Sequence, residues 1–146
     1  MSLMYPNHPD FWDPEKYCSM NKIRAKSGAI VPFQLWDHQT ILSHAVRHCY
    51  KENKWLVHVK PRQEGSSTFF TCVATQHAMF RTGCRVALLA HKKDTSKALA
   101  EMAVRFHRYL PDPIKPKKSV GLKRTLEFPT LDSRMVIASV NGDDSR

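Results

Sequence analysis

Trp55-Leu56-Val57-His58-Val59, then Lys60-Pro61-Arg62-Gln63-Glu64-Gly65-Ser66-Ser67-Thr68, then Phe69 to Phe80 is the stretch on which the fold turns. Its first five residues form a short, nearly continuous apolar run, the signature of a strand buried on both faces of a parallel sheet. After the loop, Phe69 to Phe80 reads as a helix with Cys72, Val73 and Ala74 inward, stopped by Gly83. A glycine before Ser and Thr at a helix start lets backbone N–H groups turn inward around an anion, while the helix N-terminus supplies positive potential. The same start also serves as a plain N-cap. The full phosphate-loop pattern is G-x-x-x-x-G-K-[ST]; here Gly65 is present, Ser66 stands at the lysine position and Lys60 at the first glycine.

Working outward, Arg85 to Ala90 is a second apolar run that predicts a strand parallel to the first. His91-Lys92-Lys93-Asp94-Thr95 and a helix from Ser96 to Tyr109 follow, with Leu99, Met102, Ala103 and Phe106 on one face and Pro111 and Pro113 ending it. Arg124 to Phe128 and Arg134 to Val140 are β-prone and joined by Pro129-Thr130-Leu131-Asp132-Ser133, which predicts a hairpin. Upstream, Ile41, Leu42, Ala45, Val46 and Cys49 recur at three- and four-residue steps between Trp36 and Tyr50, the stripe of an amphipathic helix with Asp37 as its cap or first-turn acid. Residues 1–29 lack periodicity and read as an irregular arm, rich in Pro and aromatics, lying across the rest.

The chain has 146 residues and no apolar run near the eighteen or so needed to span a membrane. No leader-like N-terminus is visible, so a soluble, intracellular protein is expected. Cys18, Cys49, Cys72 and Cys84 are few and far apart, and read as reduced thiols rather than a disulfide framework or zinc knuckle. With 23 Lys+Arg against 13 Asp+Glu the formal charge is +10. Residues 1–73 hold 9 cations and 6 acids, residues 74–146 hold 14 and 7, so the second half carries +7 of the excess. Such a balance favours a polyanionic partner, with Lys115, Lys117, Lys118, Lys123 and Arg124 as the candidate patch and Lys92 and Lys93 near them in sequence.

Two features strengthen the anion reading of the loop. Phe33-Gln34-Leu35-Trp36-Asp37-His38-Gln39 ends 26 residues before Gly65, and an aromatic followed closely by Gln39 suits stacking on a purine and hydrogen bonding to its edge. Lys60 and Arg62 supply cations where the usual lysine is missing. His44 and His48, spaced i, i+4 beside His38 and Cys49, lack any further ligand pattern and read as ordinary histidines. His91, at a strand end beside two lysines, suits anion contact better than proton transfer, and no G-x-S-x-G elbow is present.

Phe33 to Gln39, Lys60 to Thr68, Leu89 to Thr95 through Tyr109-Leu110-Pro111, and Ser133 to Val140 resemble successive blocks of the N-terminal ATPase domain of tailed-bacteriophage terminase large subunits. The resemblance covers residues 30–146, with Arg62-Gln63-Glu64-Gly65 as its most specific element. It implies an α/β, P-loop NTPase-like three-layer sandwich with a mostly parallel sheet, incomplete and ending in a hairpin. It also implies ATP and Mg²⁺ as cofactors. By position, Gln39 would contact adenine, Lys60, Arg62, Gln63, Glu64, Gly65, Ser66, Ser67 and Thr68 would form the phosphate loop, and the Ser67 hydroxyl would ligate Mg²⁺. The implied partners are double-stranded DNA, faced by the second-half cations, a small terminase subunit, a portal or procapsid, and further copies in a ring. The implied location is the host cytoplasm.

In that family two hydrolytic acids lie at the end of a later apolar strand, and a nuclease domain follows. The expectation is therefore a front half of the domain that stops before those acids, unless Met135 to Val140 with Asp143 and Asp144 is itself the acidic strand. Two other functions fit the same residues: a non-catalytic basic DNA-binding module, and a helicase-like ATPase fragment.

Overall fold

A computed structural model describes residues 9–61, 63–119 and 124–140. The amphipathic stripe after Trp36 becomes helix α2 (Asp37–Lys51), preceded by α1 (Pro14–Ser19) and a two-stranded ribbon of β1 (Lys22–Arg24) and β2 (Ile30–Pro32). At its start the Gln39 side chain reaches back, its Oε1 accepting from the Trp36 N–H at 3.0 Å. Asp37 is the first-turn acid rather than the cap. Leu42 and Ser43 are buried, while Ile41, on the expected stripe, faces solvent.

Helix α3 (Ser66–Phe80) begins three residues before the predicted start and is apolar nearly all round, so it sits at the centre of the molecule. Phe69, Cys72, Ala78 and Met79 are fully buried. Its buried threonines stay satisfied without water: Thr71 Oγ1 donates to the Ser67 carbonyl (2.7 Å) and Thr75 Oγ1 to that of Thr71 (2.5 Å). Gln76 Nε2 donates to the Phe11 carbonyl and so ties the N-terminal segment to the core. That segment is less irregular than its composition implies. A 3-10 turn (Pro9–Trp12) and α1, whose N-cap Asp13 accepts from Glu15 N, bring Phe11, Tyr17 and Cys18 into the core.

Strand β3 (Arg85–Ala90), helix α4 (Lys93–Tyr109) and the hairpin of β4 (Thr125–Phe128) and β5 (Ser133–Ser139) complete the fold. The sheet order is β3-β5-β4: β3 lies parallel to β5, pairing Leu88 with Ile137, and β4 lies antiparallel to it, pairing Leu126 with Met135. The turn between β4 and β5 is closed by Asp132 at φ 46, whose carboxylate receives Arg85 Nη2 at 2.9 Å. Burial alternates along β5, with Ser133, Met135, Ile137 and Ser139 inward against α3 and α4.

Three expectations differ from this arrangement. The predicted first strand does not form: Trp55 to Val59 runs without ladder bonds, and Trp55, Val57 and Val59 are 97%, 84% and 92% exposed. Its expected parallel neighbour, β3, pairs with β5 instead, and β3's other edge carries no strand among the described residues. Nor is β3 buried on both faces; Arg85, Ala87 and Leu89 are exposed because the helices cover only the face of Val86, Leu88 and Ala90. The sheet is accordingly mixed rather than mostly parallel. Among the described residues the molecule is a mixed α/β fold of four α-helices and two small sheets.

Candidate functional site

The loop before α3 is shaped by two left-handed residues, Gln63 (φ 67) and Gly65 (φ 67). A side chain at φ > 0 is disfavoured, so Gly65 suits the turn and Gln63 is held in it against its preference. Gly65 is the N-cap of α3, its carbonyl accepting from Phe69 N at 3.1 Å. No side chain caps this helix start and no acid lies in its first turn, so its positive end is not offset by the protein there; Ser67 is exposed and Ser66 buried.

Residues distant in sequence close around the loop. His38 Nε2 donates to the Glu64 carbonyl at 2.7 Å. Gln39, 3% exposed, packs so closely that a Cβ on Gly65 would lie 2.7 Å from its Nε2. The start of α2 therefore fixes the turn by two adjacent side chains. On the other side His58 Nε2 lies 3.1 Å from the Ser66 hydroxyl, which is buried. Lys60 Nζ donates to the Pro61 carbonyl at 3.0 Å, folding back over the loop entrance. A shallow cavity of about 260 Å³ is lined by His58, Lys60, Ser66, Ser67 and Thr71 against Leu88 and Leu89.

The predicted phosphate-loop residues thus fall into groups. Lys60, Ser66 and Ser67 share the cavity, Gln63, Glu64 and Gly65 form the turn, and Gln39 braces it from behind. Thr68 points elsewhere, into a small space beside Lys22, Arg24, Met102 and Phe106. Arg62 lies outside the described residues. The sequence does not mark His38 or His58 for the loop; their only signals are adjacency to Gln39 and a place just before Lys60.

An anion fits this site by hydrogen bonds from the N–H groups opening α3 and by the Lys60 ammonium. For Mg²⁺, the exposed Ser67 supplies one hydroxyl, and no group of three or more His, Cys, Asp or Glu able to hold a metal occurs among the described residues. A cation there would depend on ligand phosphate oxygens for most of its shell.

Four members of the expected basic patch, Lys115, Lys117, Lys118 and Arg124, are among the described residues. Lys115 Nζ binds Asp112 Oδ1 at 2.7 Å, an ion pair that holds the Asp112 carboxyl below its usual range. Lys117 and Lys118 are exposed in the following coil, Arg124 lines a cleft beside α4, and Lys123, like Asp143 and Asp144, lies outside the described residues.

A separate cleft of about 660 Å³ separates α1 from the ends of α2 and α3. There Arg81 is stacked between Trp12 (4.5 Å) and Tyr50 (4.9 Å), and Arg47 Nη1 binds Asp13 Oδ2 at 2.7 Å. His77 shares this cleft, and burial, with Arg81 adding repulsion, lowers its pKa to about 4. His44 lies 3.9 Å from Glu15 Oε2. These contacts anchor the N-terminal segment. Comparison of the chain with protein-family models and with curated proteins finds no match in either.

Proposed function

We propose that this chain is the ATP-binding part of a viral DNA-packaging motor of the terminase large-subunit type, coupling ATP hydrolysis to movement of double-stranded DNA into a capsid. The observation that carries the reading is the convergence of His38 and Gln39 on the Gly65 turn from across the chain. A plain N-cap does not call for a glutamine and a histidine from another helix to brace it; a loop that must hold its N–H groups in place for phosphates does.

In this reading the N–H groups opening α3 and the Lys60 and Arg62 cations take the β- and γ-phosphates, and the Ser67 hydroxyl takes Mg²⁺. Gln39 Oε1 is committed to the Trp36 N–H, so the amide Nε2 is the group left to donate to a purine edge. Double-stranded DNA, a small subunit, a portal or procapsid and a ring of copies are the partners this reading entails, and the host cytoplasm its location. No helix among the described residues is long and apolar enough to cross a membrane.

Nucleotide titration with and without Mg²⁺ tests the assignment. Arg62→Ala and Gln39→Ala are each expected to weaken ATP binding about tenfold or more, as loss of a hydrogen bond to a charged or buried group does. Unchanged ATP affinity in both variants would overturn it.

A further inference from the structure

We infer that the groove between the β1–β2 ribbon and helix α4 binds the phosphate backbone of duplex DNA without reading its sequence. This deepens the proposed function by locating its polyanionic partner away from the Lys115–Lys118 coil. The groove encloses about 640 Å³, and its charged lining is five cations, Arg24, Lys97, Arg105, Arg108 and Arg124, against one carboxylate, Glu101. They come from three separate segments, so the fold gathers a charge that no run in the sequence displays.

Helical geometry makes the concentration specific. Lys97, Arg105 and Arg108 stand at i, i+8 and i+11 of α4, which places them on one stripe. The opposite stripe, with Ala103 and Phe106, faces the core. From Lys97 to Arg108 the axis advances about 17 Å. That is the axial length over which one strand of B-DNA presents about five phosphates. Arg24, Lys97, Arg105 and Arg108 form no ion pair among the described residues, so their charge is not already neutralised by the protein. A single small anion would engage one or two of these groups and leave the rest repelling one another across a shared groove.

The aromatic content favours a duplex over a single strand. Single-strand grooves combine cations with open aromatic faces on which bases stack. The one ring lining this groove, Tyr109, has Lys22 Nζ over it at 5.9 Å from the ring centre. The groove offers charge along a line and little to stack on, which suits a backbone whose bases stay paired.

The test measures anisotropy of a labelled duplex of about 20 bp, of arbitrary sequence, with the whole chain over about 50 to 200 mM salt. Lys97→Gln/Arg108→Gln, both at exposed positions, is expected to lower the slope of log K against log salt by about 2 units, at about 0.9 for each phosphate no longer neutralised. Lys117→Gln/Lys118→Gln, removing the same charge from the exposed coil, is expected to leave the slope unchanged. Equal slopes for wild type and the groove variant would overturn the inference, as would tighter binding of the matching single strand than of the duplex. ATP affinity measured on the same variants keeps the two proposals separate. Groove-dependent DNA binding by a chain that binds no ATP supports the groove and overturns the packaging-motor reading.

Discussion

Gly65→Ala probes the contact that joins α2 to the loop. At φ 67 an alanine incurs the left-handed penalty of about 1–2 kcal/mol. Its new Cβ would lie 2.7 Å from Gln39 Nε2, closer than real side chains approach, so the glutamine must move. Moving it strains or breaks the bond from Trp36 N to Gln39 Oε1 at 3.0 Å, worth about 1 kcal/mol. The total is about 2–3 kcal/mol. For a chain of this size that corresponds to a melting temperature lower by about 6–9 °C. Gly28→Ala is the internal control: at φ 88 it carries the backbone penalty, but nothing lies within 4 Å of the new Cβ. It should cost only about 1 kcal/mol or a little more. In urea titrations the Gly65→Ala/Gln39→Ala pair should be non-additive by about 1 kcal/mol, because the smaller residue removes the clash. Equal losses for Gly65→Ala and Gly28→Ala, together with an additive double variant, would refute the packing of Gln39 on the turn.

Other outcomes follow from burial and charge. His77 titrates near 6.5 when unfolded but at about 4 when folded, so the unfolded chain takes up the proton first and stability falls as pH drops from about 6.5 to 4. The shift corresponds to about 3 kcal/mol, present in full above pH 6.5, and urea titrations of His77→Gln at pH 7.5 and 4.5 should show most of that pH dependence removed. Phe106→Ala should cost about 3–5 kcal/mol in chemical denaturation, since the ring is buried and stacked on Phe33 at 6.3 Å. Trp55→Ser should change stability by no more than about 0.5 kcal/mol, as for an exposed site. A loss above about 2 kcal/mol would show that Trp55 packs in the core after all.

The parts of the fold legible in the sequence are those with a local signal. The stripes of α2 and α4 and the turn residues between β4 and β5 each mark their element without reference to the rest. Trp55 to Val59 misleads because a continuous apolar run describes what a strand needs, not whether a neighbour is present to supply its hydrogen bonds. In the N-terminal segment, elements of three to six residues are too short to show a period, and what holds them is tertiary: Phe11 and Tyr17 packed on Phe80, and Gln76 reaching the Phe11 carbonyl.

The loop shows the same division. Gly65, Ser66 and Ser67 are marked by residue type, and Gln39 by its aromatic neighbourhood, but the bonds from His38 and His58 depend on how α2 and the coil at His58 come to lie against the loop and the start of α3. The basic groove is hidden for a related reason. The consecutive lysines near residue 117 are conspicuous in the chain, while Arg24, Lys97, Arg105 and Arg108 become neighbours only when β1 packs on α4.

The most direct test of the phosphate-loop account is competition by ATP, ADP and AMP against a fluorescent ATP analogue bound to the whole chain in Mg²⁺. If the Gly65 turn and the start of α3 hold the β- and γ-phosphates, ATP and ADP displace the analogue and AMP does so at least about a hundredfold less well, as loss of charge-assisted bonds at about 1.5–3 kcal/mol each requires. Equal displacement by AMP, or an analogue that does not bind, would contradict the account.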